Sequence, residues 1–226
     1  MKKLPIKDIK IVNQSDHGEI YIYGDIVDDM SASILQMFDI EGYSFPAGVK
    51  EQLDALKGKP LDVYINSDGG LVSAGMAIAN MLKRHDAPTT AHVDGWAASI
   101  ASVIALACDK VVMPSETFLM IHRPSCKAEG NVDDLKKAVQ LLDTFGDAIL
   151  GIYADVSDVG KDHLWELMVD ETWLSAAEAA EIFKTVEVQA GGMRMVAQTD
   201  YKDAPEAVRT AYVKNYINKV LKETEL

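Results

Sequence analysis

The chain has 226 residues, of which 48% are hydrophobic, 25% charged and only 7 proline. That composition excludes a disordered chain and suits one large domain with its own core, the length being marginal for two. The net charge of −13 argues against a nucleic-acid partner, because neutralising phosphates takes clustered Lys and Arg, and no such run occurs.

The N-terminus opens Met-Lys-Lys into mixed polar sequence rather than the apolar stretch of a signal peptide. The longest apolar run, residues 99–108, is too short to span a bilayer. Cys108 and Cys126 make neither a disulfide framework nor a zinc spacing. These features predict a cytoplasmic protein with no membrane contact and no metal site.

In chain order, residues 19–26 (EIYIYGDI) alternate with the period of a strand, and residues 46–57 carry helical spacing behind Pro46. Strand-like 61–67 (LDVYINS), helix-like 69–85, strand-like 88–95 (PTTAHVDG) and helix-like 99–108 follow. Such alternation predicts an α/β fold, a mostly parallel sheet flanked by helices. Next come two short strands, DKVVMP and FLMIHRP, and a long helix over residues 131–153 with Val132, Leu135, Val139, Leu142 and Leu150 on or near one face. A shorter helix spans 162–168, and another opens at Ser175, which fits a capping box with Glu178. Over residues 205–226, Val208, Tyr212, Tyr216 and Val220 recur at i+4, predicting an amphipathic helix. With no internal repeat and no low-complexity linker, residues 1–226 read as a single domain.

In open α/β sheets, reactive groups collect where strands lead into helix N-termini. Two such junctions are rich in small residues: NSDGG (66–70) and DGWAAS (94–99). Glycine permits close approach, and a helix start presents unpaired N–H groups, so together they could bind an oxyanion. Taken singly, NSDGG is a turn and Ser99 a helix cap. His122 stands at the end of an apolar strand, a suitable place for a general base. By contrast, His17 and His85 sit in polar surroundings, His163 in a charged helix and His92 inside a strand. A Ser–His pair needs an acid. The segment 169–176 (VDETWLSA) offers Asp170 and Glu171, which would point to opposite sides if the piece is extended.

Together, YINSDGG, AGMAIANML, DGWAASIAS, VVMPSETFLMIHRP and WLSAAEAAE resemble, in order and spacing, the ClpP-type serine peptidases over residues 19–187. More narrowly, GDIVDD, DKVVMP and ETWLSAAEA resemble the ClpP-related head maturation proteases of tailed phages and prophages. The resemblance implies a ClpP/crotonase-like fold of repeated ββα units, with residues 131–153 as a handle helix and residues 188–226 as an extension ending in a C-terminal helix. It implies a serine endopeptidase without cofactor, with Ser99 as nucleophile and His122 as base. Glu171 falls at the acid position, with Asp170 as the alternative. Gly70 and Ile100 would supply the oxyanion N–H groups, and a substrate strand would lie between Gly69, Leu71 and Val72 on one side and Ser125 and Cys126 on the other.

By the same resemblance the partners are polypeptide substrates, in the phage setting scaffold, portal or capsid precursors in the bacterial host cytoplasm. The chain would assemble as a homo-oligomeric ring, a heptamer or stacked rings. The unfoldase partner stays open, since the N-terminal segment does not match the family's axial loop. The chain departs from the pattern in three ways: Asp68 replaces a proline, Glu171 an aspartate, and EIFKTVEV lacks a glycine, which predicts an altered helix end. Competing readings are a ring-forming assembly protein with a degenerate site, a crotonase-type acyl-CoA enzyme, and a Ser–Lys peptidase using Lys110.

Overall fold

Three stretches with alternating burial form the middle of the structure, each burying one face against helices and leaving the other half-exposed. The computed structural model describes residues 12–13 and 16–190. In chain order they form β1 (Val12–Asn13), β2 (Gly18–Ile26), α1 (Asp29–Met37), β3 (Tyr43–Ser44), α2 (Pro46–Ala55), β4 (Leu61–Gly70), α3 (Val72–Lys83) and β5 (Thr89–Ala98). Then follow α4 (Ile100–Leu106), β6 (Lys110–Pro114), β7 (Phe118–Ile121), α5 (Val132–Asp155), α6 (Lys161–Val169), β8 (Thr172–Ser175), α7 (Ala176–Ile182) and β9 (Val186–Gln189). The helix expected over residues 205–226 lies outside the described residues.

Among the described residues the strands join one sheet in the order β1-β2-β4-β5-β6-β9, with β3 beside β2, β7 beside β5 and β8 beside β7. The ladders β1/β2 and β7/β8 are antiparallel and the rest parallel, as the β–α alternation predicts. The sheet forks at β5: residues 90–92 pair with 110–112 on β6, whereas residues 96–98 pair with 118–120 on β7. A bulge makes the fork. From Ile65↔Val93 to Ser67↔Ala97 the register steps two residues along β4 and four along β5, which re-aims the end of β5. Gly95 sits in that bulge because a Cβ there would lie 2.5 Å from Asn66 Oδ1.

Every residue of α4 is buried, as suits a helix that is apolar on nearly all sides. It packs against α3, β4, β5 and α5. Gly75 allows the closest of these approaches, since a Cβ there would stand 2.3 Å from Ile100 Cγ1.

Several local expectations are corrected. NSDGG is not a turn: β4 runs through it, pairing Gly69 with Asp25 and Gly70 with Ile26. Its glycines serve close approach, for a Cβ on Gly70 would lie 2.1 Å from the Ile26 carbonyl oxygen. On α5 the stripe Val132, Leu135 and Val139 stays exposed, and the face that enters the core carries Gly146, Ile149 and Tyr153. The helix meets the core only in its second half, so the earlier periodicity has nothing in its own protomer to pack on. Unforeseen elements are α1, capped by Asp28 at 2.6 Å from the Ser31 N–H, and the short strands β1, β3, β8 and β9. Four residues or fewer are too short for alternation to register.

The helix α7 opens on the expected Ser175–Glu178 capping box and ends at Phe183 in an extended conformation, without the left-handed residue a glycine would supply. Among the described residues no helix is long and apolar enough to cross a membrane.

Candidate active site

Between the last residue of β5 and the first of α4 stands Ser99, with φ 55° and ψ −127°. A non-glycine residue there costs of order 1–3 kcal/mol and persists only where its surroundings hold it. Here the Ser99 N–H donates to the Met120 carbonyl at 3.0 Å, and the Ser99 carbonyl accepts the Ser102 N–H at 3.0 Å and the Ser102 hydroxyl at 2.6 Å. The Ser99 side chain occupies the N-cap position of α4 yet makes no capping bond. Its Oγ lies instead 2.7 Å from His122 Nε2.

The fork in the sheet brings these two residues together. Ala98 and Met120 are register partners on adjacent parallel strands, so the chain leaves both strand ends side by side at Ser99 and His122. His122 is half-buried, and burial pushes its imidazole below the ordinary histidine pKa, opposed by the negative charge of Glu171. Burial thus favours the neutral ring, the form that accepts a proton.

Glu171 and Asp170 do not form the extended piece on which their pointing to opposite sides depended. Asp170 caps α6, its N–H donating to the Glu166 carbonyl at 3.0 Å, and Glu171 follows at φ 49°. Helix termination, rather than strand pleat, therefore separates the two side chains. Glu171 shares the walls of a cavity of about 550 Å³ with His122, together with Pro124, Cys126, Leu142 and Met168. Asp170 is absent from those walls. Among the described residues no hydrogen bond joins His122 to either carboxylate.

On the other side of Ser99 lies the glycine pair. A Cβ on Gly69 would stand 2.7 Å from Ser99 Cβ, so only glycine, at φ 98°, brings β4 this close. Ile26 is the register partner of Gly70 and its carbonyl takes the Leu71 N–H at 2.8 Å. A parallel ladder of that phase bonds Ile26 to the residues flanking Gly70, which directs the Gly70 N–H away from β2. The Ile100 N–H, first in α4, has no intrahelical acceptor.

Asp68, next to the glycine pair on β4, is engaged rather than free: its carboxylate accepts the Trp96 indole N–H at 2.6 Å and ties the end of β4 to β5. Leu71 is 44% exposed, Val72 is partly buried against the core, and Ser125 and Cys126 are exposed on a segment, residues 122–129, assigned to neither helix nor strand.

Sequence reasoning did not single out Arg123. Its N–H donates to the Met168 carbonyl at 3.0 Å, its Nη2 to Asp143 at 2.9 Å, and its guanidinium lies 4.6 Å from the Trp165 ring centroid. It thereby ties the residue after His122 to both α5 and α6. Adjacency to His122 was the available signal; partners 20 and more residues away leave none. Lys110 pairs with Glu187 at 2.7 Å, where β6 meets β9, and makes no contact with Ser99. Cys108 is buried and Cys126 exposed, both as free thiols. Among the described residues no group of three or more His, Cys, Asp or Glu could hold a metal ion.

A hydroxyl touching an imidazole, beside backbone N–H groups without acceptors in their own elements, is an arrangement chemically capable of acyl transfer. Comparison with known proteins narrows the class. The family model described as Clp protease matches residues 9–182. Chlamydia pneumoniae ATP-dependent Clp protease proteolytic subunit 1 is 30% identical over 179 residues, covering 73% of this chain and 91% of the relative. A Bacteroides fragilis ATP-dependent Clp protease proteolytic subunit is 27% identical over 184 residues, covering 80% and 83%. The solved structure of a point mutant of ClpP1 from Listeria monocytogenes shares the fold with a TM-score of 0.63 at 23% identity, over 77% of this chain and 92% of that one. The chain belongs to the Clp protease family, with the ClpP-like α/β fold.

Proposed function

We propose that the protein is a serine endopeptidase, with Ser99 as nucleophile, His122 as general base and Glu171 as the acid. The observation that carries this reading is the 2.7 Å contact from Ser99 Oγ to His122 Nε2, made by a serine in a strained conformation whose hydroxyl caps nothing. His122 Nε2 takes the hydroxyl proton as Oγ attacks the scissile carbonyl, then gives it to the departing amine. Water, deprotonated by the same nitrogen, releases the acyl group. The Gly70 and Ile100 N–H groups hold the tetrahedral oxyanion, each worth on the order of 3 kcal/mol in the transition state. The charge of Glu171 favours the imidazolium that forms in between. The substrate lies extended between Gly69, Leu71 and Val72 and the segment with Ser125 and Cys126, pairing its backbone on both sides.

The reading extends to a single domain over residues 1–226, to a homo-oligomeric ring in the cytoplasm, and to capsid-assembly precursors as substrates. The last is supported by the resemblance of GDIVDD, DKVVMP and ETWLSAAEA to head maturation proteases. The relatives' names, ATP-dependent proteolytic subunits, support work beside an ATPase. A catalytically degenerate ring protein is the second reading, favoured by the missing bond between His122 and an acid.

A fluorophosphonate probe separates the two. Labelling of wild type but not of Ser99→Ala is expected, and no labelling of a folded wild type would sink the peptidase reading. Mass spectrometry of co-expressed capsid-module proteins tests the substrate class, with cleavage expected for wild type and absent for Ser99→Ala.

A further inference from the structure

Behind Ser99 a chain of three oxygens runs through the core to α5. The Ser102 hydroxyl donates to the Ser99 carbonyl at 2.6 Å, and its oxygen lies 2.7 Å from the Tyr153 hydroxyl. Ser102 is 0% exposed and Tyr153 1%. A serine hydroxyl has one hydrogen. With that hydrogen on the Ser99 carbonyl, Tyr153 must be the donor to Ser102, so the chain has one direction.

The carbonyl at its end belongs to the same peptide unit as the Ile100 N–H. Because the unit is planar and trans, the N–H leaves on the side opposite the oxygen. Donors on the oxygen do two things. They fix the plane of the unit, and so the direction of the N–H, next to a residue whose own conformation is strained. They also draw electron density through the peptide, which makes its N–H a stronger donor, the mutual polarisation of linked hydrogen bonds in a low-dielectric interior.

A serine bonding back to the carbonyl three residues earlier is ordinary helix chemistry. The tyrosine is not local: it arrives from 51 residues away, its ring 5.8 Å from that of Phe183, and brings a hydroxyl into an apolar core, which is costly unless paired. Burial holds its pKa far above the ordinary tyrosine value, so it stays a donor.

We propose that Ser102 and Tyr153 are positioning residues for the oxyanion site, orienting and polarising the Ser99–Ile100 peptide so that the Ile100 N–H binds the transition-state oxyanion more strongly. The proposal rests on Ser99 being the nucleophile. Neither side chain meets the bound substrate, so the effect belongs to the transition state and not to ground-state binding.

The test uses the full chain, a fluorogenic peptide cleaved by wild type and not by Ser99→Ala, and a peptide boronate that forms a tetrahedral adduct on the serine. Tyr153→Phe and Ser102→Ala are each expected to lower kcat about tenfold, a fraction of the roughly 10²–10³ lost with a whole oxyanion donor, while KM stays within about twofold. Boronate affinity should fall by the same factor as kcat/KM. The double variant should be no slower than the slower single one, since both break one chain. Ile149→Val, a core truncation on the same helix, controls for stability by lowering Tm without slowing kcat.

Variants that stay folded and keep wild-type kcat and boronate affinity would overturn the proposal, as would losses that merely track Tm along with Ile149→Val. A wild type that neither cleaves the peptide nor binds the boronate overturns the peptidase reading and this proposal with it. That result is distinct from an active wild type with unaffected variants.

Discussion

Ala98 on β5 pairs with Met120 on β7, and this one register contact sets Ser99 and His122 beside each other at the two strand ends. On the proposed roles of Ser99 and His122, loss of either side chain should abolish turnover without disturbing the sheet. For Ser99→Ala and His122→Ala, kcat is expected to fall on the order of 10⁴-fold or more, with Tm nearly unchanged for Ser99→Ala, since alanine keeps the Cβ and the same backbone conformation. Peptide turnover and thermal melts on the same samples check this.

The pH profile follows from the surroundings of His122. Burial lowers its pKa and the charge of Glu171 raises it. The acid limb of kcat/KM should thus lie below the ordinary histidine value, activity being lost as pH falls through it and His122 becomes protonated. Glu171→Gln removes a charge that favours the imidazolium, so the limb should move to still lower pH while kcat drops on the order of 10- to 100-fold. Asp170→Asn should leave the limb where it is. A shift with Asp170→Asn and none with Glu171→Gln would exchange their roles.

Gly69 abuts Ser99 so closely that a methyl group has nowhere to go: the added Cβ would lie 2.7 Å from Ser99 Cβ, at φ 98°. Gly69→Ala is expected to remove activity with a stability loss of about 1–3 kcal/mol. Gly58 has a positive φ of 76° but open space around it, so Gly58→Ala should cost about 1 kcal/mol and leave kcat alone. Urea melts with parallel rate measurements separate the two.

The Asp68–Trp96 bond braces the glycine end of β4 against the strand that leads to Ser99. Asp68→Ala and Trp96→Phe should each lower kcat about two- to tenfold, the effect of one modest hydrogen bond. Asp68→Asn keeps an acceptor oxygen and should retain most of the rate. Equal losses in Asn and Ala variants would point to charge in place of the hydrogen bond.

Much of this was legible in local pattern. Alternation in EIYIYGDI and LDVYINS marks strands because one face is buried, and Ser175 with Glu178 marks a helix start because a capping box closes within four residues. Ser99 and His122 were singled out by a family resemblance over five ordered motifs, since local pattern alone reads Ser99 as a helix cap. The exposed stripe on α5 and the strand character of NSDGG were misread, since burial and ladder pairing depend on what lies opposite.

The βα order, most element starts and the chemically capable residue types follow from residue order, because interactions within a few positions along the chain set them. Folding in three dimensions was needed to bring the Ser99 hydroxyl to an imidazole instead of its own helix cap, to give Glu171 and not Asp170 a place in the cavity with His122, and to stand Tyr153 behind Ser99. The partners in these contacts lie 23 and 51 positions apart for the two hydrogen bonds, and their approach is fixed by sheet register and core packing, which no local pattern encodes.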